Sequence, residues 1–457
     1  VKYIAAEDIT DLHRECLKEI VDLNVLEDLG ESHFEKFDGV YTGIGMSEFG
    51  KIVFAIQDFK YKGGSSGRQH AEHLEKAMQV SLAQSLPFLI VVNTGGARIQ
   101  EGAEALFYST KALVDLTNLS GRMLSIAIAK GTSAAYGAYL VSMCDFAFFL
   151  KDSQVFLTGP KVIESALGKK INKSDLGGFD LHTSQTGVAT HGEENMKTVQ
   201  RKVLELLKLF SKNHRLQPKQ RFLEDKQEPH QFNFKLPEFS HQTYDVKGLI
   251  SEILDAGTFH EIYSRFANNL ITGFGTINQT TVAIIANQPK VLSGCLNVSA
   301  SKKLARYVQI CNSYKIPMIF LVDTPGFLPG VNEEIAGVMN YGSKALQILA
   351  QCKVPRITIA IRKMVGGGYA VMNSKSINSD YAMAWHSVDV VIMSKNAADK
   401  FFQKEEINLK QRLIDSGMID EFIFPEQTRA KIISTLNMIL TQRNDFWQDR
   451  PAAIPPI

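Results

Sequence analysis

Cysteine is scarce and scattered in this chain. Its 457 residues include five, Cys16, Cys144, Cys295, Cys311 and Cys352, and no two form a CxxC pair. That spacing argues against a zinc ribbon and points to a reduced, cytoplasmic setting, with the mitochondrial matrix left open. Long hydrophobic runs are missing as well, since none approaches the roughly 20 apolar residues a membrane span requires. A marked excess of either charge is also missing. A net charge of +2 leaves no electrostatic footprint for nucleic acid. The opening residues, VKYIAAEDITDLHRECLKEI, lack the apolar centre of a signal peptide and carry acids that a transit peptide avoids. No Ser/His/Asp set stands out. His70, His73, His182, His191 and His386 are not at metal-ligand spacing, so structural roles and no metal are expected of them. The pair Glu333 and Glu334 reads either as a base or as a solvated turn, and the turn is expected.

What is present is ordinary for a globular protein: 45% apolar and 21% charged residues, over a length sufficient for two full domains. Residues 8–30 have a helical pattern. Residues 39–59 read as paired strands with a turn near 47–50, and 68–84 have helical spacing through Ala71, Leu74, Ala77 and Met78. Pro87 opens the strand PFLIVV, a helix follows at 103–119, and SIAIA (125–129) is a further strand. A surface helix is expected at 193–209. Residues 214–240 are polar and proline-punctuated, and they read as a connection between domains. Beyond it come a glycine-turned hairpin at 271–286, a helix at 300–314 and the strand PMIFLV after Pro317. The chain is charged and amphipathic at 401–411 and proline-rich at 451–457. Strands alternating with helices indicate βαβ units and a largely parallel sheet.

The stretch VPRITIAIRKMVGGGYAVM (354–372) begins as a buried β-branched strand and breaks at Gly366, Gly367 and Gly368. A strand ending in glycines before a helix leaves backbone N–H groups unpaired, and such groups can hold an oxyanion; a plain tight turn is the alternative. A degenerate copy lies upstream. PFLIVVNTGGARIQEG (87–102) matches PMIFLVDTPGFLPG (317–330), with Asn93 on Asp323 at an offset of 323 − 93 = 230. SIAIAKGTSAAYGAYL (125–140) matches TIAIRKMVGGGYAVMN (358–373), with Lys130 on Lys363 and Tyr136 on Tyr369 at an offset of 363 − 130 = 233. Two matches in order argue for a duplicated domain, with one small-residue turn in each half. Two such turns suit a reaction between two molecules that each develop negative charge on an oxygen.

Seven segments carry a family resemblance: QDFKYKGGSSGRQHAEH (57–73), NTGGARIQEGAEAL (93–106), FLTGPKVIESALG (156–168), DLGGFDLHTSQTGVA (175–189), NQPKVLSGCLNV (287–298), DTPGFLPG (323–330) and RKMVGGGYAVMNSK (362–375). In this combination and order the chain resembles the carboxyltransferase β-subunits of biotin-dependent acyl-CoA carboxylases, the propionyl-CoA type, of the crotonase-like superfamily. The resemblance implies an α/β fold of two tandem crotonase-like β-β-α superhelix domains from an internal duplication. The expected boundaries are 1–225 for the acyl-CoA side, 226–240 for the linker and 241–457 for the biotin side. It implies transfer of a carboxyl group from carboxybiotin to the α-carbon of an acyl thioester through an enolate. Backbone donors would be the main catalytic groups, in a cleft that shields CO2 from water. Biotin would arrive on a partner, a biotin carboxylase or biotin carboxyl carrier subunit, and the family assembles as a hexamer, a dimer of trimers.

By the same resemblance the backbone of Gly367 and Gly368, with Gly366, forms the biotin-side hole. The acyl-side hole maps to Ala134, Ala135 and Tyr136, and Gly95, Gly96 and Ala97 line the acyl-CoA pocket. The family has Gly-Gly where this chain has Ala135 and Tyr136, so the tyrosine is expected to narrow or reshape that hole. Ala370 stands where relatives carry Asp or Ile, which predicts a roomier apolar acyl pocket. Arg68 and Arg98 are candidates for coenzyme A phosphates. Three alternatives share these residues: a biotin-dependent decarboxylase subunit running the reverse reaction, a carboxyltransferase acting on a carrier-protein-bound acyl group, and an inactive scaffold.

Overall fold

A computed structural model describes residues 11–23, 26–28, 37–211, 232–239, 242–391, 409–442 and 454–457. They form two compact units, residues 1–211 with 451–457 and residues 212–450. Of the expected connector, 226–231 and 240 lie outside the described residues, as does 401–408 of the charged stretch.

The first unit is built on one sheet of strands β1 (Leu26–Asp28), β2 (Val40–Ser47), β3 (Gly50–Gln57), β4 (Phe88–Thr94), β5 (Ser125–Ala134), β6 (Phe146–Leu150), β7 (Gln154–Phe156) and β8 (His191–Glu193). The order is β1-β2-β3-β4-β5-β6-β8, with β7 paired to the far end of β5. The β2–β3 hairpin is antiparallel and closes at Ser47 and Gly50; from β3 onward every pairing is parallel. The helices are α1 (Asp11–Leu17), α2 (Arg68–Gln84), α3 (Gly102–Leu119), α4 (Tyr136–Met143), α5 (Pro160–Leu167), α6 (Lys173–Gly177) and α7 (Met196–Ser211). The helical spacing read in 68–84 is realised in α2, which buries Ala71, Leu74, Ala77 and Met78. Burying a leucine or methionine contributes about 1.5–3 kcal/mol each.

The second unit repeats this plan with β9 (His260–Ile262), β10 (Leu270–Ile277), β11 (Thr280–Asn287), β12 (Met318–Thr324), β13 (Arg356–Val365), β14 (Tyr381–Trp385), β15 (Asp389–Val391) and β16 (Glu421–Ile423). Read from β9, the order is β9-β10-β11-β12-β13-β14-β16, with β15 off β13 in the place of β7. Its helices include α8 (Val246–Ile253), α9 (Val298–Ser313), α10 (Val331–Ile335), α11 (Val338–Gln351), α12 (Gly366–Val371) and a last one at Thr428–Gln442. The described part of the connector is not a free linker. Phe232, Phe234 and Leu236 pack on the second unit's core.

Three expectations shift. Among the described residues of 8–30 the helix covers α1, and 26–28 adds an edge strand to β2 instead. The helix read from 193 starts at Met196, because Glu193 pairs with Leu150 in the sheet and Asn195 accepts the N–H of Thr198. The last residues do not continue the second unit, since the Ile454 N–H donates to Ser120 Oγ at 3.1 Å in the first.

Candidate active site

In the first unit β5 runs past the expected strand end to Ala134, then turns at Ala135 with φ +51° and enters α4 at Tyr136. The Ala135 N–H is not free, because it donates to the carbonyl of Phe156 on β7 at 3.0 Å. Strand β7 is itself pinned: His182 Nε2 meets the Val155 carbonyl at 2.7 Å, and a Cβ on Gly177 would fall 2.0 Å from that oxygen. The next two N–H groups, of Tyr136 and Gly137, lie in the first turn of α4, where a helix supplies no acceptor of its own. Alanine 134 belongs to the strand and Ala135 is already bonded, so the donor pair offered by this turn is Tyr136 and Gly137.

The Tyr136 side chain does not narrow the turn. It is buried in the unit's core with Ala127, Ala129, Val155 and Phe179. Burial pushes its phenol far above the ordinary range, and its hydroxyl has no partner among the described residues. Only its backbone faces the turn. Gly137 must be glycine for a different reason, because a Cβ there would sit 2.3 Å from Thr94 Cγ2.

Residues 95–97 lie against this turn. A Cβ on Gly96, which has φ +102°, would be 3.1 Å from Ala135 Cβ. The donors of the two glycines are committed: the Gly95 N–H goes to Gly63 O at 2.9 Å and the Gly96 N–H to Thr94 Oγ1 at 3.1 Å. Ala97 bridges to Ser66. Gly95 and Gly96 therefore shape space by lacking side chains and not by donating.

In the second unit β13 ends at Val365, Gly366 turns with φ +52°, and Gly367 and Gly368 follow in the first turn of α12. Gly367 is exposed. A Cβ there would meet only the Phe327 ring, at 3.8 Å, whereas a Cβ on Gly368 would fall 2.6 Å from Gly326 Cα. The loop at 324–327 thus seats directly on Gly368 and presents Phe327 beside Gly367. Ala370 is half-buried on α12.

The two turns are equivalent, but not in the register read from side-chain identities. Both sheets carry an irregularity after the same strand position: Thr94 pairs with Ser133, and Thr324 with Met364. The offsets are 324 − 94 = 230 and 364 − 133 = 231. The offset of 233 inferred from Lys130/Lys363 and Tyr136/Tyr369 is therefore corrected by two residues. Ala135 corresponds to Gly366, and their φ angles of +51° and +52° agree. Tyr136 and Gly137 correspond to Gly367 and Gly368. Ladder pairing fixes register, whereas lysine and tyrosine identities two residues away do not.

Around the turns the charged groups brace the fold. Arg98 is 2% exposed and its guanidinium reaches Asp38 at 2.7 and 2.9 Å, Glu101 at 2.8 Å and the Ser65 carbonyl at 2.7 Å. It is unavailable to a phosphate. Arg68 is engaged by Glu72 and Glu104 and lies over the Tyr108 ring. Glu101 also accepts the Arg68 N–H, and Glu333 accepts the Val298 N–H at 2.9 Å, so each unit caps the helix after its hairpin with a carboxylate. Glu333 is thereby a structural cap. Asp323 accepts from Tyr244 OH at 2.8 Å and Arg362 Nε at 3.1 Å, while burial pushes its carboxyl up. Sequence reasoning missed this cluster and the Arg98–Asp38 brace, which joins residues 60 apart. Among the described residues no three His, Cys, Asp or Glu side chains converge on a metal site, and no helix is long and apolar enough to cross a membrane.

Comparison with known proteins bears on this geometry. The model of the carboxyl transferase domain family matches residues 26–452. The chain is 35% identical over 443 residues to the methylmalonyl-CoA decarboxylase subunit alpha of Veillonella parvula, covering 92% of this chain and 85% of that one. It is 34% identical over 417 residues to the propionyl-CoA carboxylase beta chain of Roseobacter denitrificans, covering 86% and 81%. Among solved structures it is similar to the transcarboxylase 12S hexamer with hydrolysed methylmalonyl-coenzyme A bound. The TM-score is 0.86 at 32% identity, over 96% of this chain and 90% of that one. The expected fold, two tandem crotonase-like domains, is the one observed.

Proposed function

This chain belongs to the carboxyl transferase domain family, and from that premise we propose that it moves a carboxyl group between carboxybiotin and the α-carbon of an acyl-CoA. The observation that carries the reading is the pair of equivalent turns, each ending a strand at a residue of positive φ and placing two successive N–H groups in the first turn of a helix. A thioester oxygen that gains charge as the α-carbon loses its proton is stabilised by such preorganised donors, each worth about 10²–10³ in rate. In the first unit these are the N–H groups of Tyr136 and Gly137. Gly95, Gly96 and Ala97 make room for the acyl thioester beside them.

The second turn fits a ureido-type carbonyl. Gly367 is exposed, and the nearest neighbour of an added Cβ there is the Phe327 ring at 3.8 Å. Gly367 and Gly368 would hold biotin's carbonyl oxygen, with Gly366 setting the turn and the Phe327 ring beside Gly367. When bound on its partner, a biotin carboxylase or biotin carboxyl carrier subunit, carboxybiotin would supply the carboxyl group. Ala370 on the same helix would leave room for a longer or branched acyl chain. A homo-oligomer is part of the proposal, as the similar 12S structure is a hexamer assembly. The reaction calls on the backbone alone, so Tyr136, with its side chain in the core, gives no steric ground for an inactive scaffold.

The similarity to a decarboxylase subunit supports a second reading, the same site run in reverse. One experiment separates them. The purified chain is given a biotinylated carrier with either propionyl-CoA plus carboxybiotin or methylmalonyl-CoA alone, and carboxyl transfer is followed in both directions. Transfer in neither direction refutes the assignment. Direction under steady-state conditions decides between carboxylase and decarboxylase.

A further inference from the structure

Asn93 on β4 and Asp323 on β12 hold equivalent places, at the offset of 323 − 93 = 230. Their backbones are clamped alike. The Asn93 N–H donates to Gln57 Oε1 at 3.1 Å, and the Asp323 N–H to Asn287 Oδ1 at 3.2 Å. A Cβ on Gly64 would fall 2.3 Å from the Asn93 carbonyl oxygen, and one on Gly294 2.5 Å from that of Asp323. Both side chains meet the irregular stretch of the next strand. Between the pairs Val92–Ala129 and Thr94–Ser133, β4 advances two residues and β5 four; β12 and β13 do the same between Val322–Ala360 and Thr324–Met364. The extra residues have no partner on β4 or β12, and such a bulge re-aims the strand that leads into each turn.

The two units hold this bulge by different chemistry. Oriented to satisfy both ends of its amide, Asn93 donates from Nδ2 to the carbonyls of Lys130 at 3.2 Å and Thr132 at 3.1 Å. Gly131 between them turns with φ +68°, and a Cβ there would lie 3.1 Å from the Asn93 side chain. In the second unit ladder pairing puts Arg362 in the place of Gly131, since 362 − 131 = 231. Arg362 Nε donates to Asp323 Oδ2 at 3.1 Å, and Tyr244 OH donates to the same oxygen at 2.8 Å. Arg362 Nη1 donates to the Gln242 carbonyl at 2.8 Å. Asp323 is 1% exposed and Arg362 6%. Losing one partner of such a pair would leave the other as an uncompensated buried charge.

Two arms run from each of these residues to its turn. One is the bulged strand, β5 to Ala135 and β13 to Gly366. The other is the chain that follows: Thr94 closes on Gly137 and Gly96 on Ala135, while Gly326 closes on Gly368. A displaced side chain at 93 or 323 therefore moves both arms, and a donor works only within about 0.5 Å of its place. We infer that Asn93 and Asp323 are positioning residues for the two oxyanion turns. Asn93 sets the Tyr136 and Gly137 N–H groups through an amide that donates to strand carbonyls. Asp323 sets those of Gly367 and Gly368 through its buried ion pair with Arg362. The inference rests on the function proposed above and names the side chains on which its backbone chemistry depends.

The test uses Asn93→Asp and Asp323→Asn, which keep size and change only donor or charge. Asn93→Asp turns two donated hydrogen bonds into a carboxylate facing carbonyls. Asp323→Asn strands the Arg362 charge; Tyr244→Phe, which removes one hydrogen bond and no charge, is the milder variant should that protein not fold. Amide hydrogen exchange on the intact protein without biotin or acyl-CoA reads each turn directly. In Asn93→Asp, exchange should quicken about tenfold over 132–143 and stay unchanged over 363–374. Asp323→Asn should do the reverse, and Tyr244→Phe should follow it to a smaller extent. In carboxyl transfer kcat should fall about tenfold or more in both charge-changing variants. KM should rise for propionyl-CoA alone in Asn93→Asp and for the carboxybiotinyl carrier alone in Asp323→Asn. Exchange and KM changes shared equally by both turns would mean general loosening and would overturn the inference. So would wild-type exchange and kcat in the variants. If the wild type transfers no carboxyl group in either direction, the proposed function falls, and the exchange pattern alone decides whether these residues hold the turns.

Discussion

Substituting Gly368 by alanine tests the biotin-side turn most sharply. The new methyl group would lie 2.6 Å from Gly326 Cα, 2.7 Å from its carbonyl carbon and 3.0 Å from its oxygen. All three are backbone atoms, so no rotamer change relieves the contact. Ordinary van der Waals contact begins at 3.4 Å, so turn and loop must part by 3.4 − 2.6 = 0.8 Å. Overpacking of this kind costs about 1–3 kcal/mol. A donor must stay within roughly 0.5 Å of its working position, so the transfer rate should fall about 10²- to 10³-fold. Gly367→Ala is the matched comparison. Its methyl meets only the Phe327 ring at 3.8 Å, so the protein should melt as wild type, whereas Gly367→Val should fill the space in front of the turn and stop transfer. The assays are steady-state carboxyl transfer from a carboxybiotinyl carrier and urea unfolding. Full turnover and wild-type stability in Gly368→Ala would refute both the steric reasoning and the placement of the site.

Three further predictions concern Tyr136, His70 and Ala370. Tyr136→Phe removes a buried hydroxyl that has no partner, so stability should be unchanged or rise by up to about 1 kcal/mol, with turnover kept; loss of turnover would put the phenol in the reaction after all. Acid should destabilise the first unit through His70, whose burial lowers its pKa to about 4. Gln57 Nε2 lies 3.1 Å from His70 Nε2, and Gln57 Oε1 accepts the Asn93 N–H, so Nε2 must accept and the ring must stay neutral. The unfolded chain takes up the proton near pH 6.5 and the folded one only near 4. Stability is therefore full above pH 6.5 and falls by about 3 kcal/mol as pH drops to 4. Urea midpoints at pH 7 and 4.5 should show this in the wild type and far less in His70→Gln; equal shifts would remove His70 as the cause. Ala370→Ile should shift acyl-chain preference toward shorter groups in a thioester panel, and an unaltered profile would take Ala370 out of the pocket.

Much of this was legible in the sequence because hydrophobic periodicity is local. Helix α2, the β10–β11 hairpin and the strands opened by Pro87 and Pro317 follow from spacing within a few residues. The register of the two turns was not legible. SIAIA and TIAI align well as strings, but the ladder sets Ser125 opposite Phe88 and Arg356 opposite Met318, so SIAIA is equivalent to RITIA and the offset is 231 both before and after the irregularity. The role of Arg98 was hidden for a similar reason: an arginine in a glycine-rich loop looks like a phosphate ligand until Asp38, 60 residues away, is seen to hold it.

The corrected register changes what divergence at the acyl-side turn means. Backbone donors survive any side chain that can point elsewhere, and Tyr136 points into the core. Where the second unit has Gly367, the first can therefore carry a large residue without losing its N–H. The next position has no such freedom: Gly137 is closed by Thr94 and Gly368 by Gly326, each within 2.6 Å of an added Cβ. Ala135 and Gly366 share a third constraint, a positive φ, which alanine meets at a cost that glycine does not. Ala135→Gly should therefore stabilise the first unit, or at worst leave it unchanged, because relief of the strained φ of +51° offsets the extra freedom glycine gives the unfolded chain. The Ala135 N–H to Phe156 bond keeps the turn in place in either case. A clear drop in the urea midpoint for Ala135→Gly, with carboxyl transfer intact, would show that the turn is not strained and that its shape is set by β7 alone.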